Sequence, residues 1–469
     1  MVSDDNWRQE KKLSKKKKQV PKHIYENPRY AAMELLVKIA SNQGYSNLLV
    51  NEGIKKHHLS SKDARLMTEI VYGTTSRQLT LAYYLAPFIQ KAKKVDLWVK
   101  ELLLLSIYQM EFLDKIPAYG ILNDAVDIAK AKGNPGIGKF VNGVLRTIQR
   151  QGVPNTAGIS DDIERLSIEI SIPRWLTEVL IADIGLEQTR ELGESLLQTS
   201  RASGRVATRA LTREEAVSAL SSDEINAELS VVSPVGIVAK KGFLAGSNLF
   251  KEGKLTVQDE TSMLVAPSMQ LRPSDNVLDT CAAPGGKTTH IAEYLDAEQG
   301  GKVTALDIHP HKIKLIEENA ERLHVSSVIE PRVLDARQAA DEFPDESFDR
   351  ILIDAPCSGL GLLRRKPDIK YSKTIDDFIK LRQIQTEILE SVAQKVKKNG
   401  IITYSTCTVT TQENEEVIQG FLEAHPDFEL IDIKGVAHLT KSYQQLMLKV
   451  YPHHYGTDGF FISCLRRKS

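Results

Sequence analysis

Cysteine is scarce in this chain: there are four among 469 residues (Cys281, Cys357, Cys407 and Cys464), none in a CxxC pair. That excludes a zinc ribbon and a secreted disulfide framework, and it leaves free thiols in an expected reducing cytoplasm. Long apolar runs are missing too. Nothing approaches the roughly 18 residues of a membrane span, and the first residues lack the apolar core of a signal peptide, so no membrane partner is expected. Net charge is also absent, because 61 Lys and Arg balance 61 Asp and Glu. A nucleic-acid partner therefore cannot be argued from net charge. The basic residues are unevenly placed, however, with Arg8, Lys11, Lys12 and Lys15 to Lys18 crowded into one polar tract. Such a block predicts a disordered tail over residues 1–22. His57-His58 and His453-His454 lack ligand-spaced partners, so no metal is expected.

A chain of this length predicts two or three domains. Residues 23–152 read as helices. Asn27-Pro28 supplies an N-cap and a proline at the first helical position, and Leu97 to Phe112 is apolar enough for a central helix buried on most sides. Residues 153–250 change texture, with a helical stretch after Ser171, a short strand over Arg205 to Arg209 and a capping box at Thr212. This reads as a small α+β linker module. From 251 to 469 strands and helices alternate, which predicts a doubly wound parallel sheet.

Four strands of that last region are predicted to end on carboxylates: Asp279, Asp307, Asp335 and Asp354. One such Asp is weak evidence, because Asp often caps the next helix. Four on one sheet edge are harder to dismiss. The loop Cys281-Ala282-Ala283-Pro284-Gly285-Gly286-Lys287 follows the first strand, and its small residues let the backbone approach a ligand at a helix N-terminus. It fits neither GxGxxG nor the phosphate loop, since Cys281 stands where the first glycine of the latter should be. Asp307 lies 20 residues beyond Lys287, where an acid would hold a ribose. Two further strands deliver Cys357, in Asp354-Ala355-Pro356-Cys357-Ser358-Gly359, and Cys407, in Ser405-Thr406-Cys407-Thr408. Paired cysteines suit methyl transfer from S-adenosylmethionine to carbon 5 of cytosine. That carbon is a poor nucleophile until a thiolate adds to carbon 6, and the adduct must later be released.

Two resemblances sharpen this reading. Gly44-Tyr45-Ser46-Asn47, Tyr72-Gly73-Thr74, Ile116-Pro117-Ala118-Tyr119, Asn123-Asp124-Ala125-Val126 and Phe140 to Arg146 resemble the NusB family, a helical RNA-binding fold. Arg29, Arg65, Arg77, Arg146 and Arg150 are its candidate phosphate contacts. The motifs from Val277 through Thr408 resemble the RNA cytosine-5 methyltransferases, and their union with a NusB-like domain is similar to the Sun/RsmB branch, which modifies bacterial 16S ribosomal RNA. The resemblance implies a multidomain chain: an all-α NusB-like bundle, an α+β module and an α/β Rossmann-like S-adenosylmethionine-dependent methyltransferase domain. It implies Cys407 as nucleophile and Cys357 as the thiol assisting release. Cys281 to Lys287 would wrap the methionine and sugar, Asp307 would bind the ribose, Asp335 would face the adenine, and Asp354 would lie near the methyl group and base. One departure stands out: Ala207 follows Arg205-Val206 where the family commonly carries Asn. A monomer acting on 16S ribosomal RNA, free or partly assembled, is the expectation. Alternatives are a transfer-RNA substrate, or a binding protein that has lost catalysis. Arg364, Arg365 and Lys366 are further candidates for phosphate contact, Cys464 is expected in the core, and His309 and His311 are expected to begin a helix.

Overall fold

The structure is a computed structural model describing residues 20–41 and 46–469, with the side chain of Asn47 left undescribed. The basic tract before residue 20 and the Gly44-Tyr45 pair lie outside the described residues. Two compact units meet at Asn155 and Thr156.

The first unit is helical. Asn27 accepts a hydrogen bond from the Arg29 amide and opens helix Pro28–Ala40. Leu97–Phe112 forms the predicted central helix, against which five others pack: Pro28–Ala40, Ser61–Ser76, Gln78–Ile89, Ala118–Lys132 and Pro135–Gln151. Its leucines from Leu102 to Leu105 are fully enclosed, so truncating one to alanine costs about 2–5 kcal/mol. The sequence predicts a loop over Gly133 to Gly136; only Gly133 and Asn134 lie between helices, and Pro135 and Gly136 already belong to the last one. Asn134 accepts from the Ile137 amide, and Pro135 takes the first helical position. A Cβ on Gly73 would sit 2.0 Å from the Tyr108 hydroxyl, which accounts for glycine in the Tyr72-Gly73-Thr74 motif. Two of the arginines expected on phosphates turn inward instead. Arg29 pairs with Asp124 at 2.8 Å and donates to Gln109, while the Arg77 guanidinium lies 4.1 Å over the Phe112 ring. Arg65, Arg146 and Arg150 remain exposed.

The second unit begins with helices Asp162–Ile170 and Arg174–Leu196, the latter kinked at Gly185. A small antiparallel sheet follows, made of β1 (Ala202–Val206), β2 (Asn226–Leu229), β3 (Gly236–Lys241) and β4 (Leu255–Val257), in the order β2-β3-β1-β4. β1 starts and ends three residues before the predicted strand, because the Ala207 carbonyl accepts from the Ala210 amide and turns the chain there. The Thr212–Glu215 capping box forms as expected.

The large sheet contains β5 (Asn276–Asp279), β6 (Lys302–Asp307), β7 (Ile329–Val333), β8 (Phe348–Asp354), β9 (Val396–Thr406), β10 (Phe428–Leu430), β11 (Tyr443–Gln444), β12 (Met447–Val450) and β13 (Phe460–Arg467). Its order is β11-β12-β13-β9-β8-β5-β6-β7, with β10 also on β13. β5 to β9 are mutually parallel, whereas β13 runs antiparallel to β9, so the sheet is mixed rather than wholly parallel. The chain reverses its winding direction between β5 and β8, where such sheets open a crevice at their carboxyl ends.

Three boundaries differ from expectation. β7 ends at Val333, and Asp335 lies two residues beyond it as the cap of a short 3-10 turn, so three rather than four of the acids terminate strands. The sequence predicts a helix over Thr288 to Leu295 after the small-residue loop, and the structure has it earlier, at Gly286–Ala292. The sequence predicts a helix from Thr374 to about Lys398, but helix Ile375–Val392 stops well before that, because the buried Val396 already pairs with Phe348; Asn399 at φ 62° and Gly400 form a bulge inside β9. Cys464 is a core residue, its sulfur 3.5 Å from the Ser268 carbonyl oxygen.

Candidate active site

β5 and β6 together build the small-residue loop. Asp279 is wholly enclosed and accepts from the Thr288 hydroxyl at 2.7 Å, which fastens the strand end to helix Gly286–Ala292. Burial pushes its carboxyl up to about 7. The Ala282 amide donates to Leu306 of β6, and Asn319 donates to the Pro284 carbonyl. Gly285 has φ 102°, a left-handed turn that favours glycine, and a Cβ there would come within 3.2 Å of Ile316.

The remaining acids each have defined partners. Asp307 accepts from the His309 amide at 2.9 Å, and Lys312 stands 3.8 Å from its other oxygen. Asp335 is gripped by Arg337, whose hydrogen bonds hold its carboxyl below the usual range; Arg337 also reaches Glu387. Asp354 accepts from Lys287 at 2.7 Å and from the Ser405 hydroxyl at 2.9 Å. Burial is the largest single influence on the Lys287 ammonium and pushes it down, but the charge and hydrogen bond of Asp354, with other nearby acidic groups, together make the net shift upward.

A cavity of about 390 Å³ opens at these strand ends. Cys281, Ala283, Asp307, Asp335 and Asp354 line it, from among the expected cofactor residues. Ala282, Pro284, Gly285, Gly286 and Lys287 do not line it; they shape the loop behind it, and Lys287 is committed to Asp354. Its other walls include Ile308, His309, Pro356, Ile384 and Ile388, none of which sequence reasoning had placed there; His309 does begin a helix as expected, capping Pro310–Arg322, and also lines the cavity. Ile384 and Ile388 were legible only as helix positions, since nothing local says which face of Ile375–Val392 meets the cavity. A larger cavity, about 780 Å³, lies between helix Arg174–Leu196 and the β11–β12 hairpin, and no expected site residue lines it.

Beside the smaller cavity the two cysteines meet. The Cys357 and Cys407 sulfurs are 3.3 Å apart. The hydrogen bond with Cys407, reinforced by burial, pushes the Cys357 thiol well up from its usual value. Burial likewise lifts Cys281 to about 12, which removes it as a nucleophile. The loops carrying the pair are tightly fixed. Gly361 donates its amide to the Cys407 carbonyl at 2.9 Å, and a Cβ there would strike Gly459 at 1.9 Å. Glu413, wholly buried and missed in the sequence, accepts from Ser358 and Thr408, the residues that follow each cysteine. Arg365 is held by Asp259 at 2.9 Å and Asp458 at 3.0 Å, and Arg364 donates to the Gly456 and Thr457 carbonyls. Both were expected on phosphates; both are instead spent on anchoring the loop after Cys357.

The fold and the cavity define a Rossmann-like methyltransferase unit joined through an α/β module to a NusB-type helical unit. Family descriptions agree in the same order: NusB family over residues 26–150, an RsmF/B-like ferredoxin-like domain over 172–243, and 16S rRNA methyltransferase RsmB/F over 266–466. A Bacillus subtilis protein named "Probable ribosomal RNA small subunit methyltransferase B" is 44% identical over 441 residues, 93% of this chain and 98% of its own. The ribosomal RNA small subunit methyltransferase B of Pseudomonas putida is 32% identical, over 94% of this chain and 98% of that protein. The crystal structure of PH0851 matches with a TM-score of 0.78 at 26% identity, covering 96% of this chain and 100% of that one. The chain belongs to the RsmB/F family of 16S rRNA methyltransferases. Among the described residues no helix is long and apolar enough to cross a membrane.

Proposed function

We propose that this chain transfers a methyl group from S-adenosylmethionine to carbon 5 of a cytosine in 16S ribosomal RNA, through a covalent bond between Cys407 and that cytosine. It acts in the cytoplasm as a monomer, with the helical bundle over 23–152 engaging RNA, an α+β linker over 153–250, and residues 251–469 carrying the chemistry. The assignment rests chiefly on the 3.3 Å contact between two free thiols, one of which directly follows Pro356 in the wall of the strand-end cavity.

The residues present suit the cofactor. A cavity of about 390 Å³ falls within the range for a small-molecule site, roughly 300–1,000 Å³. Asp307 offers a carboxylate at a strand end for two ribose hydroxyls, Asp335 and the apolar Ile308, Ile384 and Ile388 suit an adenine, and the Cys281–Lys287 loop backs the remainder. The cofactor supplies an electrophilic methyl sulfonium. Everything else falls to this chain. Cys407 adds to carbon 6 and makes carbon 5 electron-rich. Asp354, held by Lys287 and Ser405, faces the cavity beside Pro356 and lies next to the reacting base. For release, Cys357 gives its proton to the departing Cys407 sulfur and, as the resulting thiolate, takes the proton from carbon 5. Both thiols are then protonated, the ring is aromatic again, and the net product is one proton, which passes to solvent when Cys407 is next deprotonated.

The test is bisulfite sequencing of 16S ribosomal RNA from cells lacking the protein, complemented by the parent or by Cys407→Ala. One cytosine should be protected only with the parent. Protection that persists with Cys407→Ala would remove the covalent route.

A further inference from the structure

We propose that Glu413 is the positioning residue that holds Cys357 against Cys407, and that its carboxylate is needed for product release more than for the first methyl transfer. The inference rests on the covalent reading above and adds a residue to it. Glu413 sits six places after Cys407, at the end of the turn Thr411–Glu413, and is wholly buried.

Its carboxylate joins the two cysteine loops directly. One oxygen accepts from the Ser358 amide at 2.8 Å and from Gln385 at 3.1 Å; the other accepts from the hydroxyls of Ser358 at 2.6 Å, Thr410 at 3.0 Å and Thr408 at 3.2 Å. Gln385 in turn donates to the Pro356 carbonyl at 2.9 Å, the residue before Cys357. Ser358 and Thr408, which follow the two cysteines, also touch each other at 2.8 Å. The residues flanking the pair thus converge on one side chain. Its own backbone is fixed as well, because the Tyr404 hydroxyl donates to the Glu413 carbonyl at 2.7 Å.

Five donors on one buried group explain why it is an acid. An ionised carboxylate only accepts, through about four lone-pair sites, whereas the amide of glutamine brings two donors needing acceptors of their own. In Glu413→Gln the amide nitrogen would face the three hydroxyls, which can rotate to accept, so the fold is kept while the junction between loops loosens. Attack by Cys407 needs one sulfur in place. Release needs both, and a displacement near 1 Å costs on the order of 100-fold in an oriented step.

The experiment uses the full chain in two assays. In the first, with no RNA present, diamide oxidises the two thiols to a disulfide, taking both hydrogens and becoming the hydrazine; mass spectrometry follows the Cys357–Cys407 cross-link. Glu413→Gln is expected to cross-link about tenfold more slowly than the parent. In the second, unmodified 16S ribosomal RNA is methylated. Glu413→Gln should keep the KM for S-adenosylmethionine and near-parental single-turnover transfer, lose about tenfold or more in kcat, and accumulate an RNA adduct on denaturing gels. Ser358→Ala, which removes one hydroxyl donor and leaves the amide bond, should move all readouts the same way by less. If Glu413→Gln does not fold, Ser358→Ala alone decides. Parental cross-linking and parental release would overturn the proposal, and so would equal loss of first-turnover transfer and release. Methyl transfer without any adduct in every variant would instead defeat the covalent reading, while the cross-linking rates still judge the role of Glu413.

Discussion

The sulfurs of Cys357 and Cys407 lie 3.3 Å apart although 50 residues separate them in the chain. β8 and β9 are parallel neighbours paired from Phe348 to Asp354, so the loops leaving their carboxyl ends begin side by side. The Cys357 thiol is pushed upward by that contact and by burial, which suits it to hold the proton used in release. Replacing Cys357 by Ala is therefore expected to permit attack and transfer but to stall release, leaving protein on RNA in denaturing gels. A variant that turns over at the parental rate without such an adduct would remove Cys357 from the release step.

Asp307 offers a test of the cavity itself. Its carboxylate is fixed by the His309 amide and lines the cavity away from the sulfurs' own partners. Hydrogen bonds to a charged acceptor contribute about 1.5–3 kcal/mol, so Asp307→Ala should raise the KM for S-adenosylmethionine about 10- to 100-fold. Calorimetry of cofactor binding checks this, and kcat at saturation should change little.

Asp279 makes a prediction about stability and pH. Burial raises its carboxyl to about 7 in the folded chain, against about 3.9 when unfolded. Between those values the unfolded chain has lost a proton that the folded chain still holds, so this group's contribution falls as pH rises from about 4 to about 7 and is level above that. Asp279→Asn keeps an acceptor for the Thr288 hydroxyl without the ionisation. Measured by urea unfolding, the variant should gain on the parent by about 2–4 kcal/mol between pH 4.5 and pH 8. A constant difference across that range would contradict the raised value.

RNA association is expected to be electrostatic and local, since the whole chain is neutral. Affinity should fall steeply with salt, and replacing the exposed Arg65, Arg146 and Arg150 together by Gln should shallow the log–log slope by about two. Filter binding at several salt concentrations measures both. A salt-insensitive association would contradict this electrostatic contact.

The sequence made the helical unit legible because its signals are local. The Asn27-Pro28 start and the unbroken apolar stretch from Leu97 to Phe112 each need only a few neighbouring residues to be read. The strand-ending acids were legible for the same reason, apart from Asp335, whose strand stops two residues early. Arg29, Arg77, Arg364 and Arg365 were misread as phosphate ligands because their partners are remote: Asp124 for the first, the Phe112 ring for the second, and Asp259, Asp458 and the Gly456 carbonyl for the others. Glu413 was invisible for a related reason. One acid among Gln412-Glu413-Asn414-Glu415-Glu416 reads as solvated surface, and only the fold brings Ser358, 55 residues earlier, onto its oxygens.

The most direct test of the covalent route is to find which atom of the protein carries the RNA. Full-length Cys357→Ala incubated with S-adenosylmethionine and unmodified 16S ribosomal RNA should give a denaturation-stable adduct. After nuclease and protease digestion, mass spectrometry should place a methylated cytidine on the peptide containing Cys407. A cytidine mapped to another residue, or methylated RNA produced by that variant with no adduct at any time, would contradict it.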